Sequence, residues 1–374
     1  MQEIVQGHHL IPVKSLEQVQ KEGEARTELN RWWQSLGDVA KIVSQFVEDF
    51  QSKNARLPLL DELRPCLDSH STIREVIVSG ARIREEIWDL VARAVDSDIS
   101  RITEMALALN NGRATLQLNP NLTLPRTQQQ WDFHRMPGSY ISSCGEGDVR
   151  AGALYDNGLG IYKSYESCPL NDYVGISAIE LFLKDILPNE PGKIIDLGCG
   201  AGHNTLPYAF KFTGAELHAV DIAAPMIRYG HARARVLGQE VHFSQQNATD
   251  TSFASESFDL VLSHILIHEM SRTEKIALFE ECYRLLKPGG VMLHCDLNYI
   301  FNPQNLFQEY QRWLMVNVEN ELFALSTSVK DLTDWYERAG FRKNEIIVRS
   351  IPNLPDLRLG NSRPMWIVCA ARKV

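Results

Sequence analysis

The segment KIIDLGCGAGHNT, residues 193–205, constrains the fold more than any other part of the chain. Its apolar residues Ile194, Ile195 and Leu197 predict a buried strand, and the three alternating glycines that follow predict a turn leading into a helix. Glycine is needed where the backbone takes a positive φ or where a ligand must approach it without a Cβ in the way. A strand, a glycine turn and a helix N-terminus together form a corner that binds nucleotides. We therefore expect an α/β fold with a nucleotide-like ligand at this corner.

Strand and helix patterns alternate in the C-terminal half of the chain. Strand patterns lie at residues 193–197, 216–220, 241–243, 258–262, 291–295, 346–350 and 365–371. Helical patterns separate the early strands, which predicts a parallel sheet with helices on both faces. The last two strands are joined by a loop alone, which predicts an antiparallel pair.

The N-terminal part of the chain carries helical patterns. Apolar residues recur at helical spacing over residues 25–51 and 71–109, with a break expected at Asp96, Ser97 and Asp98. These stripes predict an all-α domain, residues 1–110, whose apolar faces form a core; a substrate-binding cap and a dimerisation surface are the functional alternatives. A linker and lid segment, residues 111–170, with a small hairpin predicted at residues 116–124, precedes the α/β domain at residues 171–374.

Charge and composition narrow the classes of partner and location. The chain carries 38 Lys and Arg against 47 Asp and Glu, a formal net charge of −9. Nucleic acids and anionic membranes select basic surfaces, so we expect neither as a partner. No apolar run reaches the length of a membrane span. The 7 cysteines are scattered without a CxxC pair and the N-terminus lacks a signal-peptide pattern, which together predict a reduced, cytoplasmic location.

Four motifs together resemble those of class I S-adenosylmethionine-dependent methyltransferases, in the group of small-molecule and ubiquinone-biosynthesis enzymes. They are DLGCGAG, HAVDIA, FDLVLSHILIHEM and LLKPGG, which begin at residues 196, 218, 258 and 285. The resemblance covers residues 171–374 and leaves the N-terminal third outside. It implies a Rossmann-like seven-stranded sheet with an antiparallel last strand, S-adenosylmethionine as cofactor, and methyl transfer as the reaction.

Ligands of such sheets bind at the carboxyl ends of the strands. Asp221 ends the second predicted strand and is placed for the two ribose hydroxyls of the cofactor. Asn247 stands where the family often has an acid near the adenine amino group, and its side-chain oxygen can still accept from that amine; Asp250 is the alternative. The predicted cofactor-binding residues are Asp196, Gly198, Cys199, Gly200, Gly202, Asp221, Ile222, Asn247, Ala248 and Ser263.

Two histidines that follow the fourth predicted strand are the catalytic candidates. Methyl transfer needs the nucleophile in line with the sulfonium and, for a hydroxyl, a base that removes its proton. His264 and His268 suit that role, with Asp296 at the end of the next strand, although the His-Glu pair at residues 268–269 is also common family sequence. The same three residues would alternatively form a two-histidine, one-carboxylate metal site. Residues 296–298 read Asp-Leu-Asn where the metal-dependent catechol-type pattern has adjacent Asp-Asn, so we assign no metal.

Aromatic residues ahead of the glycine corner are predicted to cover the bound ligands. Tyr155, Tyr162 and Tyr165 offer flat faces and hydroxyl groups that suit a lid. His134, in the segment QQWDFHRMPGSY, and Glu269 complete the predicted substrate side. A linker that packs its aromatic residues against a domain face is the simpler alternative.

The sequence thus predicts an enzyme that transfers a methyl group from S-adenosylmethionine to an oxygen or nitrogen of a small metabolite. Metal-assisted transfer to carbon, through His264, His268 and Asp296, is the first alternative. A protein that binds the cofactor without methylating is the second. The expected partner is a small-molecule substrate, and a homodimer through the N-terminal helices is left open.

Overall fold

A single mixed sheet organises the computed structural model, which describes residues 10–109, 113–163, 170–325 and 327–374. The strands lie in the order β1-β4-β3-β2-β5-β6-β8-β7. They are β1 (Leu116–Gln117), β2 (Lys193–Leu197), β3 (Glu216–Asp221), β4 (His242–Gln245), β5 (Phe258–His264), β6 (Leu286–Leu297), β7 (Ile346–Pro352) and β8 (Pro364–Arg372).

The sheet confirms the predicted Rossmann-like architecture. Strands β1 to β6 pair in parallel, whereas β8 pairs antiparallel with both β6 and β7. All seven predicted strands are present, and the two-residue β1 adds an eighth at the edge. The hairpin predicted at residues 116–124 is wrong, because Leu116 and Gln117 pair in parallel with Phe243 and Ser244 of β4. Strand order reverses at β2, which lies between β3 and β5, and this places the glycine corner at the switch point.

Helices cover both faces of the sheet and form a separate N-terminal layer. The helices are α1 (Leu16–Asn54), α2 (Leu60–Ser69), α3 (Ser71–Ala108), α4 (Arg126–Gln130), α5 (Arg150–Lys163), α6 (Tyr173–Leu181), α7 (Leu206–Lys211), α8 (Ala224–Val236), α9 (Arg272–Leu285), α10 (Asn298–Phe301), α11 (Leu306–Glu319), α12 (Val329–Ala339) and α13 (Leu354–Arg358).

Helix α3 runs without the break that the sequence predicted at residues 96–98. The polar side chains there find partners that do not compete with the helix. Ser97 donates its hydroxyl back to the carbonyl of Ala94, and the Asp98 carboxylate pairs with Arg101 one turn later. Asp98 also accepts the backbone N–H of Val13, so the residues before α1 are tied to this turn of α3. Partners within the helix, together with the backbone N–H of Val13, thus satisfy these polar side chains without ending the helix.

The N-terminal helices share one hydrophobic core with the helices that cover the sheet. Buried residues of α1, α3, α5, α8 and α11 pack together in a single cluster. The indole N–H of Trp32 in α1 donates to the carbonyl of Val76 in α3 at 2.7 Å. Gly158 brings α5 against the ring of Trp88 in α3, because a Cβ at that position would lie 2.3 Å from the ring. The predicted division at residues 110 and 170 stays a prediction.

Within the described ranges, no helix combines the length and the apolar character that a bilayer crossing requires.

Replacing Gly158 with Ala is expected to destabilise the protein by about 1–3 kcal/mol, the usual cost of adding a methyl group to a packed core. The matched control is Gly160→Ala in the same helix, where the added Cβ meets nothing within 4 Å. The control should be neutral or stabilising by up to about 1 kcal/mol, because Ala is the better helix former. Urea unfolding of both variants tests the pair, and equal midpoints would contradict the close packing of α5 on Trp88.

Candidate active site

The glycine turn after β2 adopts the backbone that its sequence predicts. Gly198, Gly200 and Gly202 have φ angles of +73°, +53° and +77°. The N–H groups of Gly198 and Cys199 donate to the carbonyl of Val220 in β3, at 2.8 and 2.9 Å. The turn is therefore fixed to the neighbouring strand, and the other predicted members of the corner are held around it.

Asp221 links the end of β3 to the glycine turn. Its Oδ2 accepts the N–H of Gly200 at 2.8 Å and its Oδ1 accepts the N–H of Ala223 at 2.9 Å. Burial raises the pKa of this carboxyl to about 6, despite these two hydrogen bonds, which favour the ionised form. The carboxylate is thus oriented at the cavity described next.

One cavity of about 620 Å³ lies at the carboxyl ends of the strands. This volume is within the usual range for small-molecule sites. Helix α1 contributes to its wall with Trp33, Leu36, Gly37 and Ala40. Of the predicted site residues, the wall contains Gly198, Cys199, Gly200, Asp221, His264, His268, Glu269, His134 and Tyr155.

Other predicted site residues lie behind this wall. The Asn247 side-chain oxygen accepts the N–H and the hydroxyl of Thr249, at 3.0 and 2.9 Å. The Ser263 hydroxyl lies 2.6 Å from Nδ1 of His294. Outside the wall are Asp196, Gly202, Ile222, Asn247, Ala248, Ser263 and Asp296, and their roles stay predictions.

Asp196 is a buried carboxyl behind the glycine turn. Its Oδ2 accepts the hydroxyl of Thr205 at 2.5 Å, while its Oδ1 has no hydrogen-bond partner within the part of the chain that the structure describes. Burial raises the pKa of this carboxyl to about 7. Through this hydrogen bond, Asp196 links the end of β2 to Thr205, which follows the glycine turn.

His268 is held by the carboxylate of Asp296. Its Nδ1 lies 2.8 Å from Oδ1 of Asp296, and its backbone N–H donates to Oδ2 of the same carboxylate at 3.3 Å. Its Nε2 is buried and lacks a hydrogen-bond partner among the described residues. Burial alone would lower the pKa of this imidazole, but Asp296 outweighs burial and raises it to about 9. In turn, His268 holds the pKa of Asp296 below its ordinary value despite burial of that carboxyl.

His264 has a different environment four residues earlier. Its Nε2 lies 3.1 Å from the hydroxyl of Tyr208, and the ring is fully enclosed by the fold. Burial lowers the pKa of this imidazole to about 3, so it stays neutral at physiological pH. The two candidate histidines therefore differ sharply in proton affinity, and only His268 has a carboxylate against its ring.

His134 is placed by a loop that folds onto the end of α11. Its backbone has φ of +54°, an unusual conformation for a residue other than Gly, and Trp88 donates its indole N–H to the His134 carbonyl at 2.7 Å. Arg135 donates to the carbonyls of Val318 and Asn317 at 2.9 and 2.7 Å. A cation fits there because the end of a helix carries unpaired carbonyl groups. The loop thus projects the His134 side chain into the cavity.

Three glutamates surround the His134 ring. Nε2 lies 3.1 Å from Oε1 of Glu269, and Nδ1 lies 3.5 Å from both Oε2 of Glu319 and Oε1 of Glu321. Burial would lower the pKa of His134, but these carboxylates outweigh it and raise the pKa to about 10. Tyr140 donates its hydroxyl to Oε1 of Glu269 at 2.8 Å. The far side of the cavity is therefore rich in charged groups.

Aromatic rings connect the two sides of the cavity. The ring of Tyr155 meets Tyr140 edge to face at a centroid distance of 5.6 Å and meets His203 at 5.5 Å. Tyr155 thus lies beside His203, which directly follows the glycine corner, and its role as a lid residue stays a prediction. The side chain of Tyr162 and the whole of Tyr165 lie outside the described residues.

Comparisons with known proteins bear on the α/β part of the chain. A family model described as a methyltransferase domain matches residues 194–290. Phosphoethanolamine N-methyltransferase from Plasmodium falciparum is 29% identical over 191 residues, which cover 47% of this chain and 71% of that protein. Ubiquinone biosynthesis O-methyltransferase from Cereibacter sphaeroides is 30% identical over 130 residues, which cover 34% of this chain and 51% of that protein.

The C-terminal part of the chain is a class I S-adenosylmethionine-dependent methyltransferase. The chain spans about half the length of the ubiquinone enzyme that it matches. Among solved structures, a S-adenosylmethionine-dependent methyltransferase from Thermotoga maritima aligns with a TM-score of 0.42 at 20% identity, covering 59% of this chain and 98% of that one. Phosphoethanolamine N-methyltransferase 2 from Haemonchus contortus, in complex with S-adenosylmethionine, aligns at 0.40 and 18% identity, covering 58% and 60%.

Three further residues of the methyltransferase are candidates for substrate binding, although they are not among the residues predicted from the sequence. Tyr140, Glu319 and Glu321 line the cavity together with Trp33 and Trp88. Tyr140 could have been predicted, because it belongs to the same aromatic and charged segment, QQWDFHRMPGSY, as His134. Glu319 and Glu321 carried no comparable signal, because two acids at the end of a helix usually face solvent.

The alternative metal ligands His264, His268 and Asp296 do not come together as a metal site in the structure. His264 has its Nε2 in contact with Tyr208, and it does not belong to a group of ligand atoms with His268 and Asp296. Among the described residues, candidate ligand atoms within 4.8 Å of one another belong to two other groups, His134 with His268 and Glu269, and His134 with Glu319 and Glu321. Both groups lie in the same cavity wall.

Proposed function

We propose that the methyltransferase transfers the methyl group of S-adenosylmethionine to an oxygen or nitrogen of a small molecule, with His268 as general base. The observation that carries the proposal is the His268–Asp296 pair, because His268 lines the cavity and its Nε2 has no hydrogen-bond partner among the described residues. Such a nitrogen, held by a carboxylate on the other side of the ring, is suited to accept a proton from the methyl acceptor.

Asp296 supports this role in two ways. With a pKa of about 9, most of the His268 imidazole carries a proton on both nitrogens at neutral pH, so the base is the fraction that has lost the Nε2 proton. In that form the contact of Asp296 with Nδ1 keeps the remaining proton on Nδ1 and leaves a lone pair on Nε2. The negative charge of Asp296 also stabilises the imidazolium that forms when Nε2 takes a proton. His264 lacks such a partner and is the weaker candidate, since a base must hold the proton that it accepts.

The cofactor is proposed to lie between the glycine corner and Asp221. The Asp221 carboxylate would accept both ribose hydroxyls, while the glycines let the methionine portion approach the backbone. Asn247, Ala248 and Ile222 remain proposals for the adenine side. The sulfonium would then face His268 and the charged side of the cavity.

The acceptor is proposed to be a small metabolite that enters between α1, α11 and the loop of His134. The net charge of −9 does not suit a nucleic acid, and the cavity volume of about 620 Å³ suits a small molecule. The relatives are named for N- and O-methyl transfer, so they support either atom. A cytoplasmic location and a homodimer through the N-terminal helices stay predictions.

His268→Ala is expected to lower kcat by about 10²–10⁴-fold, the usual contribution of a general base. Asp296→Asn should lower kcat in the same direction, because an amide cannot stabilise the imidazolium. Both variants should keep the dissociation constant of S-adenosylmethionine within about threefold, since neither residue is assigned to the cofactor.

A half-buried histidine on strand β4 supplies the control for these variants. His242→Gln removes an imidazole that contacts Thr115, away from the cavity wall, and should leave kcat unchanged. The rates are measured as S-adenosylhomocysteine formed with a panel of hydroxyl and amine acceptors. Wild-type turnover in His268→Ala would remove His268 from the role of base.

Asp221→Asn is expected to weaken S-adenosylmethionine binding by about 10- to 150-fold, because hydrogen bonds to a charged group contribute about 1.5–3 kcal/mol. The pKa of Asp221 is raised to about 6, so the ionised form is lost as pH falls through that value. Wild-type affinity should therefore decrease from pH 7 to pH 5, measured by calorimetry.

Glu269 contributes to the raised pKa of Asp221, and the Asp221 charge in turn contributes to the raised pKa values of Asp196, Cys199 and Tyr155. The Asp221→Asn variant should bind S-adenosylmethionine more weakly and with a flatter pH dependence. Any slope that is left reports chiefly on Asp196, whose pKa is about 7 in the wild type and falls when the charge of Asp221 is removed. An unchanged slope in the variant would exclude Asp221 as the group that titrates.

A further inference from the structure

We propose that His134, Glu319 and Glu321 form a binding site for a divalent first-row transition-metal ion on the acceptor side of the cavity. The three side chains come from two separate segments, the loop between α4 and α5, and the end of α11 with the residues that directly follow it. Metal binding does not depend on the proposed function and can be measured without an acceptor.

The distances among the three side chains suit a shared ion. Nδ1 of His134 lies 3.5 Å from Oε2 of Glu319 and 3.5 Å from Oε1 of Glu321, and the three ligand atoms lie within 4.8 Å of one another. Imidazole nitrogen and carboxylate oxygen bind such ions at about 2.0–2.2 Å, which places neighbouring ligand atoms about 3–4 Å apart. Small side-chain rotations would therefore complete the site.

A second, independent observation concerns Glu321. The residue is only 3% exposed and lines the cavity. Its Oε2 has no hydrogen-bond partner in the described part of the chain. A buried carboxylate oxygen without a partner costs free energy, and a bound cation would supply the missing contact.

The groups that hydrogen-bond to the proposed ligands His134 and Glu319 are of the kind that surrounds known metal sites. His134 presents its second nitrogen, Nε2, to Glu269 at 3.1 Å, and Tyr140 fixes that same carboxylate at 2.8 Å. Glu319 directs its Oε1 to Arg84, at 3.1 Å from Nε and 2.7 Å from Nη2. Metal-binding histidines commonly donate their other N–H to a carboxylate, and ligating carboxylates are themselves hydrogen-bonded.

The alternative ligand set, His134 with His268 and Glu269, is less suitable. Oε1 of Glu269 already accepts from Tyr140 and lies within hydrogen-bond distance of His134. An ion on Nε2 of His268 would also occupy the lone pair that the proposed function assigns to the base. The chosen set leaves His268 available beside the ion.

One imidazole and two carboxylates are typical ligands of Mn²⁺, Fe²⁺ or Zn²⁺. With three protein ligands the ion would keep open positions toward the cavity, where an oxygen of the acceptor can bind. This last step rests on the proposed function, in which the acceptor meets the sulfonium in the same cavity. A metal-bound hydroxyl loses its proton more easily, and His268 is in place to accept it.

The test measures metal directly in the full chain. Wild-type protein purified without chelator is analysed by mass spectrometry for bound metal, then stripped with EDTA and titrated with Mn²⁺ and with Zn²⁺ by calorimetry. We expect one ion per chain. Glu321→Gln and His134→Asn should each weaken binding on the order of 100-fold or more, since each removes a ligand. Asn is chosen at residue 134 because it tolerates the left-handed backbone there.

Two further variants keep the interpretation unambiguous. Glu309→Gln removes a carboxylate from the same helix, α11, outside the cavity wall, and should bind the ion as the wild type does. His268→Ala should also bind it normally, because His268 is not in the proposed set. S-adenosylmethionine binding and thermal unfolding confirm that each variant is folded.

Two results would overturn the site. The first is the absence of stoichiometric metal in the purified protein together with no binding of Mn²⁺ or Zn²⁺ to the stripped protein, which would show that a protonated His134 alone balances the glutamates. The second is loss of binding in His268→Ala with full binding in Glu321→Gln, which would assign the other ligand set. Metal binding without methyl transfer would refute the proposed function alone.

Discussion

A buried ion pair between Arg84 and Glu319 determines where the acceptor side of the cavity lies. The partners are 235 residues apart in the chain, and they join α3 to the end of α11. The Arg84 guanidinium also lies 4.2 Å from the ring centroid of Trp32 in α1. The free-energy cost of removing both charges from water offsets most of the attraction between them. Loss of one partner would leave an unpaired buried charge and would destabilise the protein by about 3–5 kcal/mol. The pair therefore specifies how the N-terminal helices meet the methyltransferase part more than it adds net stability.

The two candidate histidines show how one neighbouring group changes the chemistry of an otherwise similar environment. Both His264 and His268 are buried at the carboxyl end of β5, and burial lowers the pKa of an imidazole in both cases. His268 contacts a carboxylate and His264 contacts a phenol, so their pKa values separate to about 9 and about 3. The strand positions alone made the two residues look equivalent, because sequence spacing does not indicate which of them reaches Asp296.

Features that depend on local sequence were predictable, and features that depend on distant contacts were not. The glycine φ angles, the seven main strands and the position of Asp221 follow from residue type and spacing within short segments. At residues 96–98 of α3, Asp98 accepts the backbone N–H of Val13, which is 85 residues away in the chain, and the predicted break was wrong. The inward direction of Glu319 depends on Arg84, which no local pattern relates to α11.

The two sides of the cavity are therefore built in different ways. The donor side uses backbone N–H groups, glycines and the single carboxylate of Asp221, so its geometry is set by the sheet itself. The acceptor side uses side chains from α1, the His134 loop and α11, each held by a partner from another segment. Substitutions in those segments can reshape the acceptor side without disturbing the strand ends. The charges near His134 belong to this second side, so its electrostatic character is set by contacts between distant segments.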